Sequence, residues 1–241
     1  STNALTEENA VSTSEQAVAE SLTQIIAGAQ KRVVITSFSS NIGRIRSVIE
    51  AAEAVGRKVL LVGRSMKRCI AIAAECGYLG KKTERFLSEA EYASTKREEI
   101  VVIVTGSQGE ERAALTKLSK NSMQNIILDA GDLVIFSSKN IPGNERAILD
   151  VQNRLIEQKI EVLTNEKALV HVSGHPTRSQ LKQMYDWVMP RILIPVHGEA
   201  AHLSAHAQWG KDCGIETIIC AKDGDMVELA PEDRKSTRLN S

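Results

Sequence analysis

Aromatic side chains make up only 3% of this 241-residue chain, and neither charge is in excess, with 30 lysines and arginines against 30 aspartates and glutamates. Few aromatics leave no stacking platform of the kind single-strand binders use, and a zero balance leaves no overall electrostatic footprint for a polyanion. Composition alone therefore votes against a nucleic-acid partner. Long hydrophobic runs are missing as well. The apolar stretch Ile100 to Val104 is far too short to cross a bilayer, which excludes a membrane-spanning reading. No signal peptide is visible, since the N-terminus has neither a basic start nor an apolar core. Cysteines number four, Cys69 near Cys76 and Cys213 near Cys220. A chain of this length buries a core without cross-links, and neither spacing fits a zinc knuckle. The four are read as buried thiols in a reducing, cytoplasmic setting.

What the chain does have is alternation. Lys31 to Phe38, Arg57 to Gly63, Glu98 to Gly106 and Asp132 to Ser138 are apolar runs rich in β-branched residues, each followed by turn residues and then by helical spacing. Helices are expected over about 42–54, in the segment after Gly63, after Gly106 and over the segment that starts at Asn144. Strand then helix, four times over, predicts a parallel sheet with its ligand-binding loops at the carboxyl ends of the strands. Near Val170 the character changes. Shorter elements follow: a helix from about Ser179 to Trp187, the strand of Arg191 to His197, a helix from about Ala200 to Asp212, then two short apolar runs. A second unit is expected there. Residues 233–241 are polar and patternless and are set apart from the fold as a non-native tail.

Three strand ends share a chemical character: TSFSSN at Thr36 to Asn41, TGSQGE at Thr105 to Glu110 and SSKNIPGNE at Ser137 to Glu145. Small donors and helix starts of this kind suit phosphate oxygens, although Ser, Asn and Gly are also the ordinary caps and turn residues. For any one loop, capping is the better reading. Three at one edge point toward a groove for a polyanion. The loops lack the lysine of a P-loop and the GxGxxG of a dinucleotide fold. All five histidines fall between residues 171 and 206. His171 and His175 flank a Ser-Gly turn after the apolar segment Lys167 to Val170, which places both imidazoles at a strand end where they could bind phosphate or move protons. His197 follows the run Arg191 to Val196, a common position for a zinc ligand. His202 and His206 lie four apart on one helix face with no carboxylate at a useful offset, and are read as surface or packing residues.

Taken in order, TSFSSNIGRI, TGSQGEERAAL, the IPGNE segment, HVSGH and IPVHGEAAHLSAH resemble the β-CASP metallo-β-lactamase ribonucleases, and most closely the ribonuclease J family. The resemblance runs from Ser1 to about Pro231. It implies an α/β fold, with a Rossmann-like parallel-sheet β-CASP domain over 14–170 followed by the C-terminal segment of a metallo-β-lactamase αββα domain over 171–231. Residues 1–13 would end the first lactamase segment, and 232–241 would be the non-native tail. It further implies that Ser40 and Asn41 contact RNA, and that His171, Val172, Ser173, Gly174 and His175 form a phosphate-binding turn. His175 would assist proton transfer, and His197 would hold one of two zinc ions. Ser39 stands where the family more often has Ala, and Glu111 where Pro is frequent. The family's HxHxDH signature does not occur, so the chain is expected to be a fragment, inactive alone, of a zinc-dependent 5′-to-3′ exonuclease and endonuclease. That parent would be a cytoplasmic homo-oligomer acting on 5′-monophosphorylated RNA, with no membrane partner. A non-catalytic RNA- or phosphate-binding module and another β-CASP metallohydrolase are the alternatives.

Overall fold

The computed structural model describes residues 13–79, 86–229 and 236–238, and divides them into two compact units, 13–172 and the stretch from 173 onward. The expected end of a first lactamase segment, residues 1–13, lies almost wholly outside the described residues.

In the first unit, strands β1 (Val33–Thr36), β2 (Lys58–Val62), β3 (Ile100–Val104), β4 (Leu133–Phe136) and β5 (Glu161–Leu163) form one sheet in the order β2-β3-β1-β4-β5, every pair parallel. Strands covered on both faces must be apolar at almost every position. All five residues of β3 are buried, and so are all four of β1. Side chains alternate between the faces. Val33, Ile35, Val59, Leu61, Val101 and Ile103 point to one side. There they meet helices α1 (Glu15–Gly28), α2 (Ile42–Ala54) and α3 (Arg64–Glu75). Val34, Leu60, Val62, Val102, Val104 and Phe136 point to the other side, toward α4 (Glu89–Ser94), α5 (Ala114–Ser119) and α6 (Glu145–Glu157). Each helix offers the matching stripe: Val18, Leu22 and Ile26 at four-residue spacing in α1, and Ile148, Val151 and Leu155 in α6.

The parallel sheet and its four expected strands are present, each shorter than its apolar run. Three further elements go beyond the expectation, the six-residue α4 among them. Helix α1 follows a polar start that hides its stripe, and β5 is only three residues long. The helix after Gly106 begins only at Ala114, because residues 110–113 turn, the Ala113 N–H donating to the Glu110 carbonyl.

The second unit holds α7 (Arg178–Val188), β6 (Ile192–Leu193), α8 (Ala200–Asp212) and β7 (Thr217–Ile218), with β6 and β7 paired in parallel. Helix α7 starts with a reciprocal cap between Thr177 and Gln180. β8 (Asp225–Val227) pairs antiparallel with β9 (Ser236–Arg238), three residues of the tail that the sequence sets apart.

Two expectations are corrected. Residues 164–168 form a turn after β5, the Ala168 N–H donating to the Thr164 carbonyl, so His171 and His175 do not stand at a strand end. The cysteines are free thiols but not buried ones: Cys69 and Cys213 are half-buried, Cys76 and Cys220 exposed, since both pairs lie toward the outer sides or ends of helices and strands.

Candidate functional site

The loops at the carboxyl edge of the first unit are built from mutual clamps. Asn41 caps α2, its Oδ1 accepting from the Arg44 N–H at 3.1 Å, while Ser40 beside it is exposed. Gln108 of the TGSQGE loop is almost buried and reaches across to the loop after β4. Its Nε2 donates to the Lys139 carbonyl at 3.0 Å, and its Oε1 accepts from the Ile141 N–H at 2.9 Å. Gly109 next to it has φ +72°, and a Cβ there would lie 2.5 Å from the Ala147 carbonyl carbon and oxygen. Only glycine meets both demands. For Asn41, Gln108 and Gly109 the capping and packing roles are therefore the ones the structure shows.

Arg44 escaped the sequence reading and holds this edge together. It is fully buried. Its Nη1 donates to Ser137 Oγ at 2.6 Å and to the Val170 carbonyl at 2.7 Å, while Nε and Nη2 grip the Glu15 carboxylate at 2.7–3.1 Å. Ser137 Oγ donates to the same Val170 carbonyl at 2.6 Å. One guanidinium thus ties α1, α2 and the β4 loop to the residue just before His171. A signal was available. Arg44 precedes Ile45 and lies four residues before Val48, on the buried stripe of α2, where an arginine must find partners.

Three buried polar atoms at this edge have no hydrogen-bond partner among the described residues: Thr36 Oγ1, Ser37 Oγ and His171 Nδ1. Buried polar groups are almost always satisfied, so each such orphan calls for an explanation. Burial, followed by the nearby Arg44 charge, pushes the His171 imidazole below its ordinary pKa, so the ring is neutral at neutral pH. Val172 packs against the core of the first unit.

In the second unit Ser173 Oγ accepts from the His175 N–H at 3.2 Å, closing a short turn in which Gly174 and His175 are exposed. His197 is exposed and has φ +63°. Of the four non-glycine residues with positive φ among the described residues, Asn121 and Lys159 follow the C-caps of α5 and α6, and Met189 is the C-cap of α7. Left-handed residues are normal at helix ends. His197 ends no helix; it precedes α8. A side chain held in that region without a capping reason points from strain toward a role.

His202 Nδ1 accepts from the Glu199 N–H at 3.1 Å, and His206 Nε2 lies 2.6 Å from the Tyr185 hydroxyl, so both histidines serve the local packing of α7 and α8. Among the described residues no three His, Cys, Asp or Glu side chains come together as a metal-binding group. They do not fit a zinc pair on their own. His197 could supply one ligand and no more.

The sequence of this edge and turn has clear relatives. The model of the ribonuclease J β-CASP domain matches residues 30–155, and that of the Zn-dependent metallo-hydrolase RNA specificity domain matches residues 159–220. The chain is 56% identical to ribonuclease J of Sinorhizobium meliloti over 231 residues, which is 96% of this chain and 40% of that protein. The chain belongs to the ribonuclease J family. Ribonuclease J of Mycolicibacterium smegmatis is 42% identical over 91% of the chain and 40% of its own length, and that of Helicobacter pylori 37% over 90% of the chain and 32% of its own. The chain thus spans about two fifths or less of these ribonuclease J relatives. No helix among the described residues is long and apolar enough to cross a membrane.

Proposed function

We propose that the chain is the RNA-facing part of a zinc-dependent ribonuclease that acts as a 5′-to-3′ exonuclease and endonuclease in RNA processing and decay. Residues 14–170 form its β-CASP domain, and 171–231 the returning metallo-β-lactamase segment. Carrying this reading is the Arg44 clamp, which fixes the entry to HVSGH beside three orphaned buried polar atoms. A phosphate oxygen is the ligand such small hydroxyls and a neutral imidazole suit. Ser40, Asn41 and the turn of His171, Val172, Ser173 and Gly174 hold the RNA backbone. His175, exposed on that turn, protonates the departing 3′ oxygen. His197 is a ligand to a zinc whose remaining ligands are not among the described residues. The substrate is 5′-monophosphorylated RNA, and the whole protein is a cytoplasmic homo-oligomer.

A second reading, a binding module without catalysis, is favoured for this chain in isolation by the lack of a metal-ligand group among the described residues. One comparison tests both. The 241-residue chain and a full-length ribonuclease J form carrying it are incubated with 5′-monophosphorylated RNA and zinc. The short chain binds and does not cut, while the long one cuts. In the long form His175→Ala lowers turnover by about a hundredfold or more with RNA binding retained. Full turnover in that variant, or cutting by neither form, sinks the catalytic reading.

A further inference from the structure

The β2–β3 end of the same sheet edge carries a cleft of about 770 Å³. Arg64, Lys67 and Arg68 from α3 line it together with Arg112 and Lys117 from the β3–α5 segment. Two carboxylates share the cleft, and both are engaged. Glu89 meets Lys67 at 3.3 Å, and Glu110 accepts the Gln108 N–H at 3.1 Å. Arg64, Arg68, Arg112 and Lys117 are exposed and show no ion pair among the described residues. In a chain with no net charge, this is a local concentration of one sign in a concavity, the geometry that focuses field on an anion. The size is that of a ligand site and not of a surface dimple. No aromatic among the described residues lines it, so it offers nothing for bases to stack on and much for phosphates. Gly63 at its floor has φ +113°, and a Cβ there would lie 2.7 Å from Thr105 Oγ1, which keeps that wall backbone-only.

We infer that this cleft holds successive phosphates of single-stranded RNA, as a second backbone-binding place on the sheet edge that bears Ser40 and Asn41. The inference rests on the RNA reading given above and adds to it a track for the strand. Because the cleft meets phosphates, it adds affinity without base preference.

The test is fluorescence anisotropy with the 241-residue chain and a labelled 5′-monophosphorylated single-stranded RNA across a salt series. Replacing Arg64, Arg68, Arg112 and Lys117 by Ala should weaken binding at low salt by about tenfold or more. It should also flatten the plot of log affinity against log salt by about 0.7 for each phosphate that is no longer neutralised. A control replacing the exposed cations Arg46, Lys96, Lys182 and Lys211 removes the same charge and should do much less. Thermal unfolding followed by circular dichroism shows that both variants are folded, which is expected since all eight side chains are exposed. If the cleft variant matches the parent chain in affinity and salt slope, or the control weakens binding as much, the inference is overturned. Should Ser40→Ala weaken binding in that case, the RNA reading stands without the cleft. A parent chain that binds no RNA at low salt overturns both.

Discussion

The first unit buries hydrophobic side chains on both faces of a five-stranded sheet, whereas in the second only Ala207 and Ile215 are buried hydrophobics among the described residues. Met184, Trp187, Val188, Met189 and Val196 are exposed there. Stability scales with apolar area removed from water, so the two units sit at opposite ends of what a chain can support. The first tolerates a buried arginine and tightly fitted loops. The second holds His175 and His197 on short turns with little underneath. Substitutions that remove a fitted interaction should therefore cost much in the first unit and little in the second.

Arg44→Met is the severest of these. It leaves Ser137 Oγ and the Val170 carbonyl each with one partner fewer and frees the half-exposed Glu15 carboxylate, and losing buried hydrogen bonds from a charged donor costs about 3 kcal/mol. Glu15→Gln should cost less, because the half-exposed amide oxygen still accepts from the guanidinium and the Ser137 and Val170 contacts of Arg44 remain. Urea unfolding of the chain, read through the midpoint at constant slope, measures both. Equal destabilisation by the two variants would mean that the buried guanidinium is not what holds the edge. Gly109→Ala comes next, at about 2 kcal/mol, since the new Cβ meets the Ala147 carbonyl at 2.5 Å in a left-handed backbone. An unchanged midpoint would show that the loop yields without cost and that the first unit is less tightly fitted than its packing indicates.

The same contrast explains what was legible in the sequence. Strands covered on both faces announce themselves as continuous runs, and β1 to β4 were readable for that reason. β5 was not, because three residues hold no period. The apolar run from Arg191 to Val196 reads as a strand, yet only Ile192 and Leu193 pair, because the single neighbour β7 is itself two residues long. HVSGH and His197 stand out in the sequence through motif order alone. Arg44 was passed over because it looks like a surface charge until its place on the helix stripe is counted. Three-dimensional convergence was invisible as well: the cations of the β2–β3 cleft come from segments far apart in the chain, and the zero charge balance conceals them.

In the second unit Tyr185 and His206 meet at 2.6 Å, and burial shapes both partners. It pushes the tyrosine hydroxyl up to about 12 and holds the imidazole below 6.5. Tyr185→Phe should cost about 1 kcal/mol, the net worth of one hydrogen bond. The sign of the pH effect follows from the lowered value. The unfolded chain takes up a proton on this imidazole near 6.5 and the folded one resists it. Stability is then full above that pH and is lost as pH falls below it. His171 in the first unit has the same sign. His206→Asn should flatten the acid-side loss in unfolding of the second unit alone, and a variant whose acid profile is unchanged would remove His206 from the account.

The smallest effect is a gain. His197 has φ +63° with no helix to terminate, and a non-glycine side chain in that region costs about 1 kcal/mol. His197→Gly relieves the strain but gives the unfolded chain more freedom, so the net stabilisation should be at most about 1 kcal/mol. At Met189, which closes α7 in the same region, glycine should bring a similar gain, because a left-handed helix end is where glycine is ordinarily favoured. The two positions differ in what the substitution takes away. If the histidine is retained for a metal, His197→Gly stabilises this chain while zinc affinity falls in a full-length ribonuclease J form that carries it. Met189→Gly leaves zinc affinity alone. A His197→Gly variant that is less stable than the parent would show that packing of the imidazole offsets its backbone strain, and would move His197 from the chemistry of the second unit to its meagre core.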